Sequence, residues 1–160
     1  MLESADLIRR FHSGDSGVFE RVIEEYQGDI YTLCLRSCGD TKRAESLAEQ
    51  IFLAAHHALY RLAPDTALRQ WLLRLSIDLL ENVEQPDSLD DPPSDQQSVL
   101  VNDTLQQLDT PFRFAVMLRD VLELSETDVA DILNLPLGTV RSRIHRGRLT
   151  MARSLAKEME

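Results

Sequence analysis

The segment LSETDVADILNLPLGTVRSRIHRGR, Leu124–Arg148, contains two helical patterns joined by a turn. Ser125-Glu126-Thr127-Asp128 has the form of a capping box, with an acid at the third helical position. Val129, Ile132 and Leu133 give the helix that follows one apolar face. Asn134 is suited to close it in a left-handed conformation. Pro136 prevents continuation, and Gly138 opens a second helix with room for close packing. At about 100° per residue, Val140, Ile144, Gly147, Met151 and Leu155 share one face of that second helix and pack inward. Ser142, His145, Arg146 and Leu149 point the opposite way. Thr139 and Arg153 flank this outer face on one side, Arg141 and Arg148 on the other. The segment reads as a helix-turn-helix.

The outer face has the chemistry of a major-groove reader. The N-terminal part of such a helix reaches base edges. Arginine forks onto guanine O6 and N7, and serine serves either base type. Arg146, Arg148 and Arg153 are placed for phosphates, and His145 is read as a further contact. Arg143 lies closest to the buried side, where an ion pair with Glu126 or Asp131 competes with a DNA contact.

Charge supports this placement. The whole chain carries a net charge of -10, which by itself argues against nucleic acid. Residues 1–97 hold 9 basic and 18 acidic side chains, but residues 98–160 hold 8 and 9. Thr139 to Arg153 contains five arginines and no acid. A positive stripe on a negative protein is a local electrostatic footprint.

Upstream of this segment the chain repeats helical periodicity. Leu7, Ile8 and Phe11 form a short opening helix ending near Gly14. Phe19, Val22, Ile23, Tyr26, Ile30, Leu33 and Cys34 follow at helical spacing, broken at Gly39-Asp40. Ala44, Leu47, Ala48, Ile51, Phe52, Ala55 and Leu59 make a stripe ended by Pro64. Leu68, Trp71, Leu72, Leu75 and Leu79 make another, where Trp71 is weighed between core packing and a stacking face, with core favoured. EQPDSLDDPPSDQQ, from Glu84 to Gln97, lacks apolar periodicity and reads as an extended acidic linker. Val99 to Leu108 is helical, and Thr110 is placed as an N-cap before Pro111. The expected fold is all-α: two small helical domains, 1–83 and 98–160, joined by an acidic linker over 84–97, the second domain a helix-turn-helix.

Several function classes are excluded. There is no phosphate-cradling glycine loop, metal cluster or nucleophile–base motif, so no enzyme, cofactor or metal is expected. His12, His56, His57 and His145 stand in unrelated contexts. Cys34 and Cys38 read as two buried free thiols. No apolar run approaches the roughly 18 residues that span a bilayer, and the first residues lack a signal-peptide core. A cytoplasmic protein without membrane insertion is expected.

Leu124–Arg148 resembles region four of the extracytoplasmic-function (ECF) sigma factors, small promoter-recognition subunits of bacterial RNA polymerase. LPLGTVRSRIHRGR is very close to that family's recognition-helix pattern; LuxR-type regulators share a looser version without SRIHRGR. GDSGVFERVIEEY resembles the start of region two, with Gly14, Asp15, Phe19 and Tyr26 in the expected places. CGDTKRAESLAEQIFLAAHHAL resembles the helix that grips the clamp helices of the polymerase's largest subunit. LRQWLLRLSIDLL resembles the helix that reads and melts the downstream element. The resemblance runs from Leu7 to Leu155.

It implies that Thr139, Arg141, Ser142, His145 and Arg146 face the minus-thirty-five element, with Arg148 on phosphate. It places Glu45, Leu47, Glu49, Gln50 and Phe52 at polymerase contacts and Arg74 and Asp78 near the strand-opening surface. The linker would thread the active-site cleft and RNA exit path. Core RNA polymerase, promoter DNA and an anti-sigma factor are the implied partners, and stress-type promoters the implied targets.

The first domain departs from the family pattern. Ser46 replaces an acid, and Glu49-Gln50 reverses the usual pair, exchanging a donor-capable amide for an acceptor-only carboxylate. Asp78 stands where asparagine is typical, and Leu79-Leu80-Glu81-Asn82-Val83-Glu84 follows where arginines are usual. Strand opening needs cations near phosphates and a pocket for a flipped base, so weakened melting is expected. The alternative function is a sigma-like regulator or interaction module that binds DNA or a partner without opening promoters.

Overall fold

The computed structural model describes residues 3–83 and 90–158, which are helices and connecting turns without a strand. Four helices build the first half: α1 (Ser4–His12), α2 (Val18–Cys38), α3 (Thr41–Leu59) and α4 (Leu68–Leu80). Their apolar stripes converge on Ile8, Ile30, Leu33, Ile51, Leu59, Leu68, Leu72 and Leu73, all essentially inaccessible. The α2–α3 corner turns at Gly39, whose φ of 73° is left-handed and whose N–H closes α2 onto the Leu35 carbonyl at 2.7 Å. The buried face of α4 is Leu68, Leu72, Leu73, Ile77 and Leu80. The expected stripe is rotated: Leu79 is exposed and Trp71 only half-buried, because the core lies toward Leu73 and Ile77.

The second half contains α5 (Gln96–Gln106), α6 (Thr110–Val116), a π-helical turn (Met117–Val121), α7 (Glu126–Leu133) and α8 (Leu137–Glu158). Helix α5 starts inside the stretch assigned to the linker. The Asp95 carboxylate caps it, accepting from the Gln97 and Ser98 amides at 3.2 Å each. The N-cap of α6 is Asp109 rather than Thr110. Asp109 keeps an extended backbone, and its carbonyl receives the Phe112 and Arg113 amides at 3.0 Å.

Helix α8 crosses α6 at Gly147, not at Gly138. A Cβ at Gly147 would lie 2.5 Å from Val116 Cγ2, whereas one at Gly138 would meet open space. Leu105, Met117, Leu118, Val129, Val140 and Ile144 fill the core beneath.

The two halves touch along two seams. At the first, α5 lies on α2. Arg36 donates to Asn102 Oδ1 at 2.7 Å and to the Ser98 carbonyl at 3.2 Å, while Gln106 Nε2 donates to the Arg36 and Ser37 carbonyls at 2.9 Å each. At the second, α7 lies on α4. The described end of the linker is also fastened: the Asp91 amide donates to Asp40 Oδ1 at 2.6 Å, and the Thr41 amide donates to the Asp91 carbonyl at 2.8 Å. Asp40 thus spends its carboxylate on the linker instead of capping its own helix.

Candidate nucleic-acid interface

The helix-turn-helix forms through local chemistry. Ser125 holds an extended backbone and its hydroxyl accepts from the Asp128 amide at 3.1 Å. Asn134 takes the left-handed conformation, φ 55° and ψ 51°, and the Leu135 amide reaches back to the Ala130 carbonyl at 3.0 Å. The Pro136 carbonyl then accepts from the Val140 amide, starting α8. Val140, Ile144 and Gly147 are buried, with Met151 and Leu155 half-buried on the same face. Arg141, Ser142, His145, Arg146, Arg148 and Leu149 are exposed on the other side, and Thr139 is half-buried beside them. The six candidate DNA contacts Thr139, Arg141, Ser142, His145, Arg146 and Arg148 therefore lie along one accessible helix surface.

Two of the arginines are tied to carboxylates of the elements beneath. Arg141 Nε donates to Glu126 Oε2 at 2.9 Å. Glu126 therefore pairs with Arg141, not with Arg143, because the acid at the first position of α7 lies under that flank of α8. Arg148 forks onto Asp120 of the π-helical turn, with Nε to Oδ2 at 2.9 Å and Nη2 to Oδ1 at 2.5 Å. The Asp120 hydrogen bonds hold the Arg148 guanidinium above its ordinary pKa. A sequence reading sees Arg148 as a free cation for phosphate; its side edge is instead engaged within the domain.

In the first half, Glu45, Glu49 and Gln50 are exposed on α3, while Leu47 and Phe52 are buried at 8% exposure each. Glu45, Glu49 and Phe52 share an apolar groove of about 870 Å³ between α2 and α3 with Phe19, Ile23 and Leu53. Leu53, 62% exposed at this groove, escaped the sequence reading. Its signal was an apolar residue on the polar side of the α3 stripe.

Arg74 and Asp78 part company. Asp78 is exposed on α4. Arg74 Nε donates to the Ile132 carbonyl at 3.3 Å and its Nη2 to the Asp131 carbonyl, at the C-terminus of α7. A cation there suits the negative end of the helix dipole. Trp71, Arg74, Asp131, Asn134 and Pro136 border a cleft of about 660 Å³ between the halves. Glu81 is exposed; Glu84 lies outside the described residues.

Residues 98–151 match the family model of sigma-70 region 4. Over 96% of this chain and 94% of its relative, the sequence is 30% identical to the RNA polymerase sigma-H factor of Pseudomonas aeruginosa. It is also 27% identical to the ECF RNA polymerase sigma factor SigW of Bacillus subtilis, over 92% of this chain and 94% of that one. The chain belongs to the ECF sigma factors. The fold of this ECF sigma factor is similar to that of CnrH solved in complex with the cytosolic domain of CnrY, with a TM-score of 0.82, 24% identity, and 96% and 97% of the two chains covered. Among the described residues of the sigma factor, no helix is long and apolar enough to cross a membrane.

Proposed function

We propose that this ECF sigma factor recognises the upstream promoter element with the outer face of α8, using Thr139, Arg141, Ser142, His145 and Arg146. As a member of its family it binds core RNA polymerase and directs promoter-specific initiation, acting by binding rather than by turnover. The observation that carries the DNA assignment is the division of α8. Val140 and Ile144 are anchored in the core, and the polar and cationic side chains on the opposite face remain accessible. Docking α8 in the major groove needs no rearrangement within the helix-turn-helix.

Residues 1–83 act as the polymerase-docking and strand-opening unit, and residues 98–160 as the upstream reader. Glu45, Glu49 and Gln50 meet the polymerase directly, while Leu47 and Phe52 shape the surface from below. Arg74 and Asp78 border the strand-opening surface. The protein works in the cytoplasm at stress-type promoters. An anti-sigma factor covers the polymerase-binding surface, a reading supported by the similar fold that was solved with a bound partner domain.

In-vitro transcription with core polymerase tests the assignment. The expected result is a transcript from a cognate promoter together with a permanganate-reactive bubble. Promoter binding with neither transcript nor bubble overturns it in favour of a regulator that does not open DNA.

A further inference from the structure

We propose that Glu126 is a positioning residue for specificity: its carboxylate holds the Arg141 guanidinium so that the two terminal nitrogens meet one guanine of the upstream element. This rests on the reading of Arg141 as a base contact.

The geometry is specific. Arg141 Nε donates to Glu126 Oε2 at 2.9 Å across the turn of the helix-turn-helix. That bond uses one of the five guanidinium N–H groups. Among the described residues the Nη1/Nη2 edge takes no other partner, and that edge matches guanine O6 and N7. The Arg141 side chain is 64% exposed and that of Glu126 38%, so the pair faces solvent where DNA arrives. Glu126 is itself fixed, because it is the first residue of α7 immediately after the Ser125 cap.

Two physical effects follow. A long arginine side chain loses rotamer freedom when it grips a base, and an arginine already held in place loses less. A carboxylate beside the groove also repels phosphates, which weakens sequence-independent binding. Both effects raise the ratio of specific to non-specific affinity. Arg148 makes a contrasting pair two turns further along α8. Asp120 takes it with two hydrogen bonds, which makes it a strut between α8 and the π-helical turn.

The test selects upstream elements from randomised duplex DNA with holoenzyme assembled from core polymerase and the full chain: wild type, Arg141→Ala, Glu126→Ala or Glu126→Gln. Arg141→Ala should flatten the preference at one base pair. Glu126→Ala should weaken the preference at that same base pair by about three- to tenfold, leave the others unchanged, and raise retention on non-cognate DNA. Glu126→Gln keeps an acceptor oxygen and should retain the preference while also raising non-cognate retention.

An undiminished preference in Glu126→Ala, with the base pair flattened in Arg141→Ala, overturns the positioning role and leaves Arg141 as a base contact. No change in Arg141→Ala overturns the base-contact reading and the positioning role with it. A uniform loss at every base pair in Glu126→Ala, with no loss in Glu126→Gln, reports only damage to α7 and overturns the proposal.

Discussion

Arg141 and Arg148 stand seven residues apart on one flank of α8, yet their environments assign them different work. Replacing Arg148 with alanine removes the fork to Asp120 and leaves that carboxylate unpaired beside α8. The pair is about half exposed on the arginine side. The expected cost is therefore only about 0.2–1 kcal/mol, read as a lowered urea midpoint, with a modest loss of DNA affinity shared by all sequences. An unchanged midpoint together with a salt slope flattened by about one would return Arg148 to the role of a phosphate contact. Another residue-scale consequence concerns the two buried thiols. Burial pushes Cys34 from its ordinary 9.0 up to about 12, and Cys38 upward as well. The native chain therefore keeps protons that the unfolded chain releases. This contribution to stability is full below about pH 9 and is lost as pH rises toward 12. Urea midpoints should fall between pH 9 and 11, and Cys34→Ala should flatten that fall; parallel falls in both proteins would assign it to other groups.

Among the elements, α8 depends on two local devices. Gly147 allows α8 to approach α6 so closely that an added methyl group overlaps Val116, a stiff side chain only 2% exposed. Alanine gains helix propensity of up to about 1 kcal/mol there, but overpacking costs about 1–3 kcal/mol. Gly147→Ala should be net destabilising in chemical denaturation, and a stabilised variant would show that α6 gives way freely. The Ser125 cap orients α7 beneath the recognition helix. Ser125→Ala should cost about 1 kcal/mol in the same measurement, and an unchanged midpoint would show that the hydroxyl is dispensable.

The halves of the molecule are held together by polar contacts that leave some buried groups unpaired. Among the described residues, Arg36 Nε, Asn102 Nδ2 and Gln106 Oε1 are buried without partners at the α2–α5 seam. Such groups cost about 1–3 kcal/mol each, so this seam opens more readily than an apolar interface of equal size. At the other seam, Arg74 donates to the end of α7. A cation expected at the strand-opening surface is thus occupied by the recognition domain while the halves are docked. The double variant Arg36→Ala/Arg74→Ala should have a larger radius of gyration in solution X-ray scattering and no loss of helix content. An unchanged radius would mean that apolar contacts alone hold the halves together.

Much of this protein follows from its sequence alone. Helical periodicity, the Ser125 and Asn134 turn chemistry and the arginine stripe locate the helix-turn-helix and its outer face, because each depends on neighbours within a few residues. The family resemblance of Leu7–Leu155 rests on the same local patterns. The three-dimensional structure decided what depends on distant partners. It chose Arg141 rather than Arg143 for Glu126, committed Arg148 to Asp120, and brought Arg74 to α7. It moved the close helix crossing to Gly147 and turned α4 so that Leu79 faces solvent. Short-range rules of capping and periodicity say which face of a helix is buried. Which charge meets which, across 15 to 58 residues of chain, is set only when packing brings those faces together.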